Sequence, residues 1–361
     1  MIGITMAGLK NFLKQNKEAV QKTLSLFFDG KIIKAVSHDP NSIYTKRLNQ
    51  LKTATCQDGK VIRSAIAALS FGITTNKSLS QAELEAISAL ELLHRFLLIH
   101  DDIADEDTIR YSKPNLIAQI QQEQPKKGVY ALSSGMILGD LDHSFMYETI
   151  LNTSLNAQLK LKLIKKLGEI IDSVSLGWFV EYENSHKAIS KTNLKKVFEN
   201  LKYITSIYTT QGPAEYGLIL ANKDYGKTVK AFNKIMYPIG ISYQIKDDLL
   251  GLFSHNIESG QEALSDIRQG KKTIHILKAY EKTHNTGKRY LEKIYGSNKV
   301  THKDLDTIRE LVTDSNAHTY TLDLAEKLIQ DSKAEINNLP NQNQFTEILL
   351  ELCDFVLERS N

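Results

Sequence analysis

Residues 81–103 read QAELEAISALELLHRFLLIHDDI. Apolar side chains recur there at three- and four-residue spacing, the period of a buried or amphipathic helix. The run ends in a block of carboxylates, His100-Asp101-Asp102-Ile103-Ala104-Asp105-Glu106-Asp107. Asp101 and Asp105 are one helical turn apart and share a face. Seven residues make about two turns, so His94 falls on the same face. A lone His on a helix is most often a satisfied core residue, but this one is aligned with acids. A solvated face intersperses Lys or Arg among its acids, and here none occurs until Arg110. Carboxylates packed this closely repel one another and call for a cation. All-oxygen ligation suits Mg²⁺ or Ca²⁺ better than zinc.

A second acidic pair lies in Tyr243-Gln244-Ile245-Lys246-Asp247-Asp248-Leu249-Leu250-Gly251. It sits inside another helical stretch, where uncompensated Asp is unfavourable. Two such pairs on separate helices suggest carboxylates facing each other across a bundle. Asp266-Ile267-Arg268-Gln269-Gly270-Lys271-Lys272-Thr273 follows and supplies cations and a Gly turn. Helical periodicity also marks 157–183, 191–221, 228–253, 271–282 and 316–336, and period-two alternation is scarce. Breaks are expected at Pro114, at Pro125–Gly128, before Gly270 and at Pro340. The expectation is an all-α chain: one large helical bundle over residues 1–361, with a central cavity between two Asp-rich helices. The segment 1–30, with Leu9, Phe12 and Leu13 on one side, reads as an N-terminal packing helix.

Composition narrows the function classes. Lys+Arg 45 against Asp+Glu 42 leaves a net charge of +3, with no basic tail, so a nucleic-acid partner is not expected. Cys56 and Cys353 are isolated thiols, neither a disulfide framework nor a zinc site, which suits a reducing cytoplasm. Lys10, Lys14, Lys17 and Glu18 interrupt the N-terminal apolar residues, so no secretory signal is read there. No stretch is long and uncharged enough to cross a bilayer.

In order and spacing, these segments resemble the trans-isoprenyl diphosphate synthases, the polyprenyl synthetase family, over about Gly59 to Arg359. Gly59-Lys60-Val61-Ile62-Arg63 is similar to that family's GKxxR. Glu91-Leu92-Leu93-His94, LLIHDDIAD and Arg110 are similar to its first Asp-rich motif. MILGDL at 136–141 and TSIYTTQGP at 205–213 follow. YQIKDDLLGLF at 243–253 and SDIRQGKKT at 265–273 are similar to the second Asp-rich motif and the segment after it. The short-chain geranylgeranyl and farnesyl diphosphate synthases are the nearest type. The resemblance implies an Mg²⁺-dependent prenyltransferase joining isopentenyl diphosphate to an allylic diphosphate. It implies up to three Mg²⁺ ions, held by Asp101, Asp102, Asp105 and Asp247, with Asp248 nearby. It places Arg110, Gln244, Lys271 and Thr205 on the allylic diphosphate, and Lys60, Arg63 and His94 on isopentenyl diphosphate. It also implies a homodimer, with a heteromer as the other assembly. Phe96, five positions before Asp101, would wall the tail tunnel and favour a C20 product over C15.

The chain departs from the family in four places. Tyr111 stands where a second Arg is usual, Ile204 precedes Thr205 where Lys is usual, and Gln261 follows Gly260 in place of Lys. Gly177-Trp178-Phe179-Val180-Glu181 stands for the family's Gly-Gln-x-x-Asp. A terpene cyclase and a regulatory subunit of a heteromeric synthase are the alternative readings. Lys60, Arg63 and His94 argue against the first, and the two acidic clusters against the second. A Ca²⁺-dependent structural protein and a Mg²⁺-dependent phosphohydrolase are more distant competitors. The former leaves the basic elements unexplained, and the latter lacks evident His-Asp metal pairs.

Overall fold

The computed structural model describes residues 8–57, 59–125, 128–222, 225–253 and 257–358, with side chains at all of these but 57, 128, 225 and 257–262. Residues 1–7 of the N-terminal segment, the 126–127 part of the expected loop, the Gln261 side chain and Arg359 lie outside them. The described chain is helical almost throughout. Its α-helices are α1 (Gly8–His38), α2 (Ile43–Gln57), α3 (Ile62–Thr75), α4 (Gln81–Ala104), α5 (Leu116–Glu123), α6 (Gly128–Leu151), α7 (Ala157–Ser185), α8 (Leu194–Leu201), α9 (Gly212–Ala221), α10 (Tyr225–Phe253), α11 (Ile257–Gln269), α12 (Ile274–Lys282), α13 (Asn285–Ile294), α14 (His302–Asp314), α15 (Ala317–Asn337) and α16 (Gln344–Glu358). Among the described residues the only strands are the two-residue β1 (Ile109–Arg110) and β2 (Lys113–Pro114), paired antiparallel.

The helices start where local chemistry satisfies their first N–H groups. Ser80 and Glu83 form a capping box at the head of α4: Ser80 N donates to Glu83 Oε2 at 2.6 Å, and Glu83 N to Ser80 Oγ at 3.4 Å. Asn115 caps α5, accepting from Ala118 N at 2.9 Å. The expected helix over 191–221 is not continuous. Lys202–Gln211 between α8 and α9 winds as a ten-residue π-helix, a wide turn that marks functional positions more often than ordinary ones.

The chain divides into two compact units. The first contains Met1–Leu167, Pro213–Tyr225 and Asn343–Ile348; the second contains Gly168–Gly212, Gly226–Gln342 and Leu349–Asn361. In the first, α4 lies along α6, and α3 packs on both α1 and α4. Its core includes Leu48, Leu51, Leu69, Leu90, Leu92 and Leu93, each 0% exposed. The second is built on Ile241, Ile245, Leu249, Ile267, Ile276 and Val312, all buried. Sequence periodicity therefore locates the first acidic cluster on the end of a core helix of one unit, and the second on a core helix of the other.

Candidate active site

In the first unit, α4 carries Asp101 and Asp102 in its last turn. Asp105 closes the helix, its N–H donating to Asp101 O at 2.9 Å. Glu106 then turns into left-handed backbone, and the β1–β2 hairpin brings the chain back. The two central residues of that hairpin, Tyr111 and Ser112, both have positive φ, 53° and 63°. Such two-residue turns normally take Asn-Gly, so this one holds non-glycine residues in an uncommon conformation. The reversal that returns Arg110 to the acids it follows comes earlier, at Glu106 (φ 56°), where Asp107 N donates to Asp102 O at 3.0 Å. Arg110 Nε donates to Asp102 Oδ1 at 2.8 Å, and a terminal nitrogen donates to Asp101 Oδ2 at 3.1 Å and also to Asp102. Asp107 lies 3.6 Å away. Burial opposes the Arg110 charge, but Asp102, Asp101 and Asp107 outweigh it and push its pKa up. Burial also raises the Asp102 carboxyl to about 6, against the downward pull of Arg110.

The basic residues expected to meet isopentenyl diphosphate gather in the same unit. Gly59 and Val61 both take positive φ, 93° and 54°, and α3 begins at Ile62. Glu91 of α4 accepts from Ser64 N at 3.0 Å, and Asn16 of α1 donates to Ser64 Oγ at 3.1 Å. These bonds moor the turn carrying Lys60 and Arg63 one helical turn from His94. Burial holds His94 well below its usual range, and Arg63, Arg95 and Arg110 depress it further. His94 is thus a neutral imidazole among guanidinium groups, a setting that attracts an anion. Arg95 acts on His94 only through its charge, since its guanidinium donates to Ala54 O and lies near the buried Asp142. Tyr111 also belongs to this group: its hydroxyl lies 3.3 Å from where a side chain on Gly59 would begin.

In the second unit, three expected residues form one hydrogen-bonded chain. Thr205 Oγ1 of the π-helix donates to Gln244 Oε1 at 3.0 Å, and Gln244 Nε2 donates to Asp248 Oδ1 at 2.8 Å. The π-helix is stitched to α10 by hydroxyls: Thr210 Oγ1 donates to Met236 O at 2.8 Å, beside Pro238, which interrupts the α10 ladder. Gly240 permits the approach, since a Cβ there would come within 2.6 Å of Thr210 Oγ1. Burial pushes the Asp248 carboxyl well above its ordinary range. Asp247, Asp266 and Glu181 push it further, while Gln244 pulls it back. Glu181 and Asp266 were expected only as motif neighbours, and proximity to Asp248 gives them a part in the cluster. The Lys271 ammonium lies 3.1 Å from Asp266. Lys272 is committed elsewhere, donating to Ser185 O and Gly270 O at 2.9 Å each, and burial lowers it to about 8.

The carboxylate chemistry fits a hard divalent cation. Each cluster offers only oxygen donors, and Asp248 has acidic neighbours whose repulsion a cation would relieve. Among the described residues, no three Asp, Glu, His or Cys side chains are already gathered as a metal cage. In the first cluster Arg110 is the counter-charge. Phe96 lies on α4 with its ring against His143 of α6, centroids 4.7 Å apart. Ile204 packs on Gly177, where any Cβ would collide with it, so Gly177 is required for α7 to approach the π-helix.

The chain is similar to proteins already characterised. A profile of the polyprenyl synthetase family matches residues 45–312. A geranylgeranyl diphosphate synthase of Saccharolobus solfataricus is 27% identical over 281 residues, 76% of this chain and 79% of that protein. A geranylfarnesyl diphosphate synthase of Natronomonas pharaonis is 24% identical over 286 residues, 78% of each. Among solved structures, geranylgeranyl pyrophosphate synthase of Corynebacterium glutamicum, complexed with isoprenyl diphosphate and magnesium, superposes with a TM-score of 0.86 at 21% identity, covering 96% of this chain and 99% of that one.

Proposed function

The chain belongs to the polyprenyl synthetase family and is a prenyltransferase, and on that premise we propose that it condenses isopentenyl diphosphate with an allylic diphosphate, using Mg²⁺, to make a C20 prenyl diphosphate. The observation that carries this reading is Arg110 joined to Asp101 and Asp102, with Arg63 and Arg110 both close enough to His94 to act on it. One unit thereby sets carboxylates for a divalent cation next to guanidinium groups for a diphosphate.

Asp101, Asp102, Asp105 and Asp247 would hold up to three Mg²⁺ ions, with Asp248 in support. When bound, they neutralise the charge growing on the leaving diphosphate. Arg110, Gln244, Thr205 and Lys271 orient the allylic diphosphate. Lys60, Arg63 and His94 hold the isopentenyl diphosphate, each charged hydrogen bond worth roughly 1.5–3 kcal/mol. The allylic C–O bond breaks with its electron pair leaving on diphosphate. The double bond of isopentenyl diphosphate attacks the cation, and a proton is lost to the departing diphosphate. Apolar walls, Phe96 among them, keep water from quenching the cation.

We further propose a homodimer in the cytoplasm, with all described elements forming one isoprenoid-synthase domain. The support for pairing is an apolar strip on α6, with Val129 77%, Met136 51% and Ile137 67% exposed, more than a lone helix face normally leaves to water. For the compartment, the support is the free state of Cys56 and Cys353 and the lack, among the described residues, of a helix long and apolar enough to cross a membrane. The test of function is incorporation of labelled isopentenyl diphosphate with Mg²⁺ and geranyl or farnesyl diphosphate. Asp101→Ala abolishes it while helical content and melting stay unchanged. Failure of the wild-type protein to incorporate label refutes the synthase reading.

A further inference from the structure

The C-terminal end of α2 is held by side chains of its neighbours. Its last turn carries no basic residue, although the last carbonyls of a helix lack partners within it and favour a cation. Arg95 of α4 supplies one: a terminal guanidinium nitrogen donates to Ala54 O. At the adjoining position Thr55 Oγ1 donates to Asp142 Oδ2 of α6 at 3.4 Å. One turn earlier, Lys52 Nζ donates to Asp29 Oδ1 of α1 at 2.5 Å. Lys52, Asp142, Asp29 and Arg95 all act on Cys56 in the last turn. Three helices thus grip the end of α2, and the Gly59–Arg63 turn follows it directly.

Asp142 is 0% exposed. Burial pushes its carboxyl well above the usual range, and Arg95 and then Thr55 pull it back. Arg95 Nε and Asp142 Oδ1 are nevertheless buried without a hydrogen-bond partner. A buried pair of charges with unmatched polar atoms is less favourable than well-packed apolar side chains of similar size. Apolar side chains at both positions would pack the same helices together, but they could neither donate to Ala54 O nor accept from Thr55. What the charged pair adds is a directed hold on α2.

We propose that Arg95 is a positioning residue for isopentenyl diphosphate: with Asp142 as its counter-charge it caps α2, and so fixes where Lys60 stands relative to His94. This rests on the synthase reading above. Arg95 follows His94 on α4, and Lys60 comes three positions after the end of α2. Lys60 and His94 are therefore at the two ends of one tie. Lys60 is exposed, so its place is set by the backbone that carries it, and that backbone starts from the capped turn.

The test compares wild type with the double variant Arg95→Leu/Asp142→Leu, with Arg95→Lys, with Lys60→Gln, and with Lys60→Gln added to the double variant. The double variant removes one charge of each sign, so the net charge that attracts a diphosphate is unchanged and no buried charge is stranded. Isopentenyl diphosphate binding is measured by calorimetry without allylic substrate, beside kcat, KM for each substrate and thermal melting. The double variant should melt no lower than wild type yet bind isopentenyl diphosphate about tenfold more weakly, as for one charged hydrogen bond lost. KM for isopentenyl diphosphate rises by the same factor, while kcat and KM for the allylic substrate stay within about twofold. Arg95→Lys, which keeps the charge and a donor, should bind within about threefold of wild type. Lys60→Gln alone weakens binding about tenfold, but less than about twofold further in the double variant, because groups that act as a unit are not additive. Should the double variant not fold, Arg95→Met, which keeps the stem and loses the donors, takes its place in each comparison. The proposal is overturned if that variant binds isopentenyl diphosphate as wild type does, or if its loss and that of Lys60→Gln simply add. Wild type that binds no isopentenyl diphosphate overturns this proposal and the synthase reading together. Variants equal to a wild type that binds and condenses it overturn this proposal alone.

Discussion

Arg110 Nε donates to Asp102 Oδ1 at 2.8 Å, and the same guanidinium reaches Asp101 at 3.1 Å. A cation that binds these carboxylates must share them with Arg110, and a diphosphate that arrives with the cation offers Arg110 new acceptors. Arg110→Gln removes one to two charged hydrogen bonds, each worth roughly 1.5–3 kcal/mol. The expected loss in kcat/KM for the allylic substrate is therefore at least tenfold. Arg110→Lys keeps the charge but not the fork and should recover only part of it. Steady-state assays with varied allylic diphosphate decide it; an Arg110→Gln enzyme within threefold of wild type ends the role.

Asp102 makes metal binding pH-dependent. Burial raises its carboxyl to about 6, against Arg110. Below about pH 6 it carries a proton that a divalent cation must displace, so apparent Mg²⁺ affinity should fall by about tenfold per pH unit there. Above pH 7 it should be flat with respect to this group. Mg²⁺ titrations by calorimetry in the presence of inorganic pyrophosphate, from pH 5 to 8, measure the break. Affinity that is constant from pH 7 to 5 would take Asp102 out of the cation site.

The acidic clusters were legible because their charge contrasts with the helices that carry them. Breaks between helices were legible from Pro114, Gly270 and Pro340. Three features were hidden. The hairpin turn that follows Arg110 uses Tyr111 and Ser112 in left-handed backbone, where nothing in the residue types announces a tight turn. The π-helix at 202–211 reads as ordinary helix because its period is close, and its winding depends on hydroxyl bonds to α10 from Ser206 and Thr210. Glu181 and Asp266 join Asp248 only through folding, so their spacing in the chain carries no sign of it.

His275 tests stability away from the site. Burial, with His318 nearby, lowers its pKa from 6.5 to about 3. Its Nε2 lies 3.0 Å from Thr273 Oγ1, and its Nδ1 is buried without a partner. The folded protein keeps this ring neutral, whereas the unfolded chain protonates it below about pH 6.5. Its contribution is fully present above that value and is lost as pH falls toward 3. From pH 6.5 to 5 the loss is about 2 kcal/mol, at about 1.4 kcal/mol per unit. His275→Gln should lose correspondingly less over the same range, read as the shift of the urea midpoint from pH 7.5 to 5. Parallel shifts in the two proteins would rule out a neutral buried His275.

The last prediction concerns the cations that the chain has replaced. Ile204 is packed against Gly177, so Ile204→Lys must first remove a contact and is expected to destabilise the π-helix. Tyr111 is the better place to restore charge. It is 41% exposed, and its hydroxyl lies beside Gly59 of the Lys60–Arg63 turn. Its positive φ of 53° strains Tyr and Arg alike, so Tyr111→Arg adds a guanidinium without a new backbone cost. A charged hydrogen bond is worth roughly 1.5–3 kcal/mol when buried and less at an exposed position. The expected fall in KM for isopentenyl diphosphate is therefore about threefold to tenfold, with KM for the allylic substrate unchanged. Tyr111→Phe, which removes only the hydroxyl, separates loss of the Gly59 contact from gain of charge and should leave KM within twofold. A larger effect on the allylic substrate than on isopentenyl diphosphate would assign the Gly59–Tyr111 corner to the other diphosphate. No change in either KM would mean that Tyr111 faces neither.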